Sequence, residues 1–123
     1  MRKIKLKHKF YKSERFKVAA ENLGAWDYVD QLKIDLDSDP EAGDVIPHGD
    51  GLRKIRMALP GRGKRGGARV IYFQVVGASI LFLEMYAKNE MSDLSQDEMH
   101  YLKLIRDEMI ELYKGKPDEK KPS

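Results

Sequence analysis

Seven cations and no carboxylate lie within residues 51–76, GLRKIRMALPGRGKRGGARVIYFQVV: Arg53, Lys54, Arg56, Arg62, Lys64, Arg65 and Arg69. Lys54 and Arg56 are two residues apart, so an extended chain puts both on one face. Glycines between the cations expose backbone beside them. This density of positive charge suits a surface for RNA phosphates. Preorganised cations of the same kind can also stabilise the extra charge of a phosphoryl transition state. Arg69 at the mouth of the next strand, and Glu84, Tyr86 and Lys88 on a third, would add one carboxylate and one phenol to the surface. The residues alone leave three accounts open: RNA binding, RNA cleavage, or a basic surface in which Glu84 neutralises Lys88 or Arg56.

Other chemistries find less support. GRGKRGG, residues 61–67, lacks the spacing and the Lys-Ser/Thr pair of a phosphate-cradling P-loop. His8, His48 and His100 show no metal-ligand spacing, and the acidic residues 35–50 contain no calcium-loop pattern. There is no nucleophile elbow. No metal and no cofactor is expected. His8 is expected to be a packed strand-end histidine.

The elements that must hold the cations are legible in outline. Ile4, Leu6, His8 and Phe10 alternate with lysines, which predicts a half-exposed edge strand. Ser13 is placed to cap a helix to about Leu23, with Gly24 beyond its end. A second helix carries Trp26, Val29, Leu32 and Leu36 on one face and stops before Asp39-Pro40. Residues 40–51 read as a loop, 52–59 as a strand, 60–67 as a loop, and 70–76 and 80–87 as two more strands. In the last of these, Leu81, Leu83, Met85 and Ala87 would share one face and Phe82, Glu84, Tyr86 and Lys88 the other. Ser95 and Glu98 form a capping box, flanked by Leu94 and Met99 as a hydrophobic staple, for a helix to about Lys114. The expected order is β-α-α-β-β-β-α, an α+β fold with a central antiparallel sheet and its helices on one face. One domain is expected over 1–114, with a disordered tail over 115–123.

The net charge is +3, and its sign is sorted along the chain. Six carboxylates and no Lys or Arg fall between Asp35 and Asp50. The absence of cysteine makes a reducing cytoplasm the simplest home. No apolar run approaches a membrane span, and the basic N-terminus has no continuous apolar segment, so no signal peptide and no membrane partner are expected.

Four blocks carry a family resemblance: PEAGDVI (40–46), GLRKIR (51–56), GKRGGARVIYF (63–73) and MYAKNEMSDLS (85–95). They resemble the RelE/ParE toxin superfamily, and within it the HigB-like branch. The resemblance implies a microbial-ribonuclease-like toxin fold and the toxin of a type II toxin–antitoxin system. The activity implied is that of a ribosome-dependent mRNA endoribonuclease that uses the RNA's own 2′-hydroxyl as nucleophile. The implied partners are the ribosome, mRNA and a cognate antitoxin, with operator DNA met only through the antitoxin complex. Carried over by motif, Lys54, Arg56, Arg69 and Lys88 are the catalytic candidates. Arg56 and Arg69 would clamp the scissile phosphate, Lys54 would activate the 2′-hydroxyl, and Lys88 would assist the leaving oxygen. Arg53, Arg62, Lys64 and Arg65 would contact RNA backbone. Two other functions suit the same scaffold: a ParE-like toxin that binds a topoisomerase, and an RNA-binding module without chemistry.

Overall fold

The computed structural model describes residues 5–89 and 94–114. Its elements are β1 (Lys9–Lys12), α1 (Glu14–Asn22), α2 (Trp26–Ser38), β2 (Asp44–Val45), β3 (Arg53–Leu59), β4 (Gly63–Val75), β5 (Ser79–Ala87) and α3 (Gln96–Tyr113). The fold is α+β, with the expected element order and one short strand, β2, added. Ile4 and the tail expected over 115–123 lie outside the described residues.

Local chemistry accounts for the element ends. The Ser13 hydroxyl accepts the Phe16 N–H at 3.0 Å, capping α1, and donates to the Leu83 carbonyl at 2.7 Å, which ties the cap to β5. Gly24 takes a φ of 60° where α1 gives way to α2. Ser95 and Glu98 exchange their capping bonds at the start of α3, at 2.9 and 3.1 Å.

The five strands run β1-β5-β4-β3-β2. The pairs β5-β4, β4-β3 and β3-β2 are antiparallel, as the meander requires, whereas β1 joins β5 in parallel at the edge. The helices do not share one face. Phe10, Phe16, Val29, Leu36, Met57, Val70, Tyr72 and Phe82 form one core between the sheet and α1–α2. Tyr11, Leu52, Ile71, Leu81, Leu83 and Leu102 form a second core beneath α3 on the opposite face. Helices on one face alone would have left Leu81 and Leu83 in water. The cause is legible in β5, SILFLEMYA, which is buried along its whole length and therefore needs cover on both sides.

A bulge corrects the expected alternation in β5. Ile71 pairs with Glu84 but Tyr72 pairs with Phe82, leaving Leu83 as an extra residue. The parity of side chains changes there: Ile80 and Phe82 face α1–α2 together with Met85, whereas Leu81 and Leu83 face α3 together with Tyr86.

β1 is held at its entry by the Asp37 carboxylate near the end of α2. It accepts the Lys7 N–H at 2.9 Å, the His8 N–H at 2.7 Å and a contact from His8 Nδ1 at 2.8 Å. His8 is the packed strand-end residue expected. Burial pushes the Asp37 carboxyl up, but these hydrogen bonds together outweigh it and leave the group below its usual 3.8. The folded state therefore gains stability from ionised Asp37 above pH 3.8 and loses it as the pH falls through the lower folded value. Asp37→Asn should cost about 1–3 kcal/mol at neutral pH. Denaturant midpoints followed from pH 6 downward should converge for wild type and variant below about pH 4. Parallel curves would refute the assignment.

Candidate nucleic-acid interface

Register brings three of the four catalytic candidates together. Arg56 of β3 stands directly opposite Arg69 of β4, and Arg69 stands opposite Tyr86 of β5. Lys54 lies two residues before Arg56 on the same face, the one that α3 covers elsewhere. Lys88 follows β5 directly. Its N–H donates to the Gly67 carbonyl at 3.0 Å, which holds it beside β4 two residues before Arg69. Among the described residues, the side chains of Lys54, Arg56 and Lys88 have no hydrogen-bonded or acidic partner. Arg69 donates only to the neighbouring Ala68 carbonyl, at 3.3 Å.

The expected loop over 60–67 is shorter than the sequence suggested. A turn at 60–62 leads into β4 at Gly63, and Leu59 pairs with Gly63 while Met57 pairs with Ala68. Ala58 therefore spans residues 64–67, a wide bulge that lifts Lys64 and Arg65 off the ladder. Arg62, Lys64 and Arg65 are all exposed.

Arg53 is placed differently from the other cations. It pairs with Tyr72 and its guanidinium donates to the Gly43 carbonyl at 2.7 Å and the Glu41 carbonyl at 3.3 Å. Tyr72 holds the same turn: its buried hydroxyl accepts the Gly43 N–H at 2.9 Å and donates to the Pro40 carbonyl at 2.8 Å. Burial raises the phenol above its usual 10.0, so the neutral form belongs to the folded state. Its contribution is complete below pH 10 and is lost as the pH rises through the higher folded value. Tyr72→Phe strands two buried partners and should cost about 1–3 kcal/mol. Exchange of the Gly43 amide should accelerate in the variant; an unchanged rate would refute the clamp.

Glu84 is not part of the cationic surface. It is 7% exposed and bound by Arg15 of α1, whose Nε donates at 2.9 Å, and it also accepts the Met85 N–H at 3.1 Å. The hydrogen bond to Glu84 raises the Arg15 guanidinium further above its usual value. The Arg15 guanidinium also lies 5.1 Å from the Tyr101 ring, so one side chain links α1, β5 and α3. Salt bridging by Glu84, one of the accounts the residues left open, is thus directed to Arg15 rather than to Lys88 or Arg56.

Sequence reasoning assigned no role to Arg106. It is 6% exposed on α3 and donates to the Asp50 carbonyl at 2.7 Å, the Asp50 carboxylate at 3.1 Å and Asp107 at 2.9 Å. It thereby pins a turn in which His48 and Asp50 take left-handed φ values of 61° and 53°, immediately before β3. Helical spacing puts Arg106 among Leu102 and Met109 on the buried face, the one signal that could have found it.

A cleft of about 690 Å³ opens beside β3. Lys54, Arg56, Lys64 and Arg69 line its sheet side, and Asp35 of α2 and Asp44 of β2 line the other. A polyanion would meet the sheet side of the cleft and avoid the α2 side. The arrangement can clamp a phosphodiester between Arg56 and Arg69 with an amine two residues away. No described helix is long and apolar enough to cross a membrane. The family model described as "RelE toxin of RelE / RelB toxin-antitoxin system" matches residues 39–119, more than half of the chain and the whole span of β2–β5 and α3.

Proposed function

The chain belongs to the RelE toxin family, and from that membership we propose that it is a ribosome-dependent mRNA endoribonuclease, acting in the cytoplasm and silenced by its cognate antitoxin. The observation that carries the proposal is the cross-strand pair Arg56–Arg69, with Lys54 beside it and no acid engaging any of the three. Like charges directly opposite one another weaken a sheet, so this arrangement is relieved when an anion lies between them. In the proposed reaction the 2′-oxygen of the RNA attacks the adjacent phosphorus. The bond from phosphorus to the 5′-oxygen breaks, giving a 2′,3′-cyclic phosphate and a 5′-hydroxyl. Arg56 and Arg69 hold the non-bridging oxygens as charge builds on them. Lys54 serves at the 2′-hydroxyl and Lys88 at the departing 5′-oxygen. Arg62, Lys64 and Arg65 extend the RNA contact along the bulge. Arg53 is left out of this set because it holds the 41–43 turn.

The test is induction of the protein without its antitoxin, with 5′ ends mapped on translated and untranslated versions of one transcript. New in-frame ends on the translated version alone are expected. Growth arrest without new ends would sink the nuclease reading and favour a protein target such as a topoisomerase.

A further inference from the structure

A second cleft, of about 440 Å³, lies at the β1 edge, where the β4–β5 turn and the C-terminal end of α3 meet. Lys7, Lys9 and Lys114 line it together with Tyr11 and Tyr113, and no Asp or Glu does. The two tyrosine rings stack, with centroids 4.1 Å apart and planes 10° apart, so part of the wall is a fixed aromatic surface. We propose that this cleft is a second RNA-binding surface, one that takes the phosphate backbone of a folded RNA. The proposal rests on the RNA-binding half of the function above and not on cleavage.

Three observations carry it. The first is chemical: three ammonium groups around an aromatic wall suit phosphates and stacked bases. The second is positional. Lys9 and Tyr11 alternate with Phe10, which is buried against α1–α2, so they point to the face that also bears Lys54, Arg56 and Arg69. β1 and β3 are three strand spacings apart, about 14 Å. The third is α3, which covers the middle of this face from Tyr11 to Leu52. A helix about 10 Å thick is a ridge between the two cationic surfaces. A single strand lying flat in one cleft does not reach the other. A double-helical RNA segment presents phosphates across a wide shallow groove and can engage both sides of the ridge. Such a ligand would join the scissile strand to structured RNA, a physical basis for dependence on the ribosome.

The probe is a stem-loop RNA of about 16 base pairs, the span a shape-reading RNA domain covers, with 2′-O-methyl sugars so that it cannot be cut. Its affinity for the full chain is measured against salt, beside that of a six-nucleotide 2′-O-methyl single strand. Lys7→Gln/Lys9→Gln/Lys114→Gln should lower the logarithmic salt slope for the stem-loop by about 2, near 0.7 per lost phosphate contact. The slope for the short strand should stay the same. Lys114→Gln alone, at an exposed position that folding does not need, should lower the stem-loop slope by about 0.7. Unchanged stem-loop slopes in both variants would overturn the proposal. So would loss of binding to phosphatidylserine vesicles in the triple variant with RNA affinity intact, which would identify a membrane surface instead. Because neither probe can be cleaved, failure here is separable from failure to find new mRNA ends.

Discussion

Arg69→Ala should reduce cleavage of translated mRNA by about 10²–10³-fold while leaving the protein at least as stable as before. The two halves of this result have one cause. Arg69 makes a single hydrogen bond at 3.3 Å to its neighbour's carbonyl and has no acidic partner among the described residues. It stands opposite Arg56, so its removal relieves a cross-strand repulsion of roughly 0.2–1 kcal/mol. A structural arginine would behave in the opposite way, as Arg106 should: its loss leaves Asp50 and a strained turn unheld. The pair of measurements is a cleavage rate and a denaturant midpoint for Arg69→Ala and Arg106→Ala. Full activity in Arg69→Ala would remove it from the catalytic set. A large fall in its midpoint would show that the cation pair is stabilised by contacts other than those described.

The cationic surface was legible because its determinants are local. Lys54 and Arg56 need only the period of two in one strand, and Arg69 needs only that the next strand turns back on the first. The helix caps at Ser13 and Ser95 were legible for the same reason, since a cap is decided within four residues. Glu84 was misplaced because its side chain is governed by pairing across strands. A single extra residue, Leu83, changes the parity of β5, and nothing in SILFLEMYA announces which residue will bulge. Strict alternation put Glu84 beside Lys88; the bulge gives it to Arg15, sixty-nine positions away in the chain. The one-sided helix layer failed for a related reason. A strand buried on both faces reads as a continuous apolar run, and that run is in the sequence, but which helix covers which side depends on connections between distant segments. Arg53 shows the limit of reasoning from charge. It belongs to the same basic run as Lys54 and Arg56, yet alternation turns it to the opposite face, where backbone carbonyls use its donors.

Gly67→Ala should be the most damaging of the conservative substitutions, costing about 3 kcal/mol or more. A Cβ at this position would collide with the Met57 carbonyl oxygen and lie 2.6 Å from the Gly63 carbonyl oxygen and 3.0 Å from the Leu59 nitrogen. All three are backbone atoms of the bulge, so no side chain can rotate away to make room. The Gly67 carbonyl also accepts the Lys88 N–H at 3.0 Å, so a displaced Gly67 moves Lys88 and Arg69 together. Gly61→Ala is the informative comparison. Its Cβ meets nothing within 4 Å, and the residue is strained only through its φ of 74°, for which a cost of about 1–2 kcal/mol is expected. Denaturant midpoints should rank wild type above Gly61→Ala and Gly61→Ala above Gly67→Ala, and RNA affinity should fall only in the last. The reverse ranking would mean that backbone conformation, rather than close packing beneath the bulge, sets the geometry of the cationic surface. Equal RNA affinity in wild type and Gly67→Ala would mean that the bulge does not position the cations.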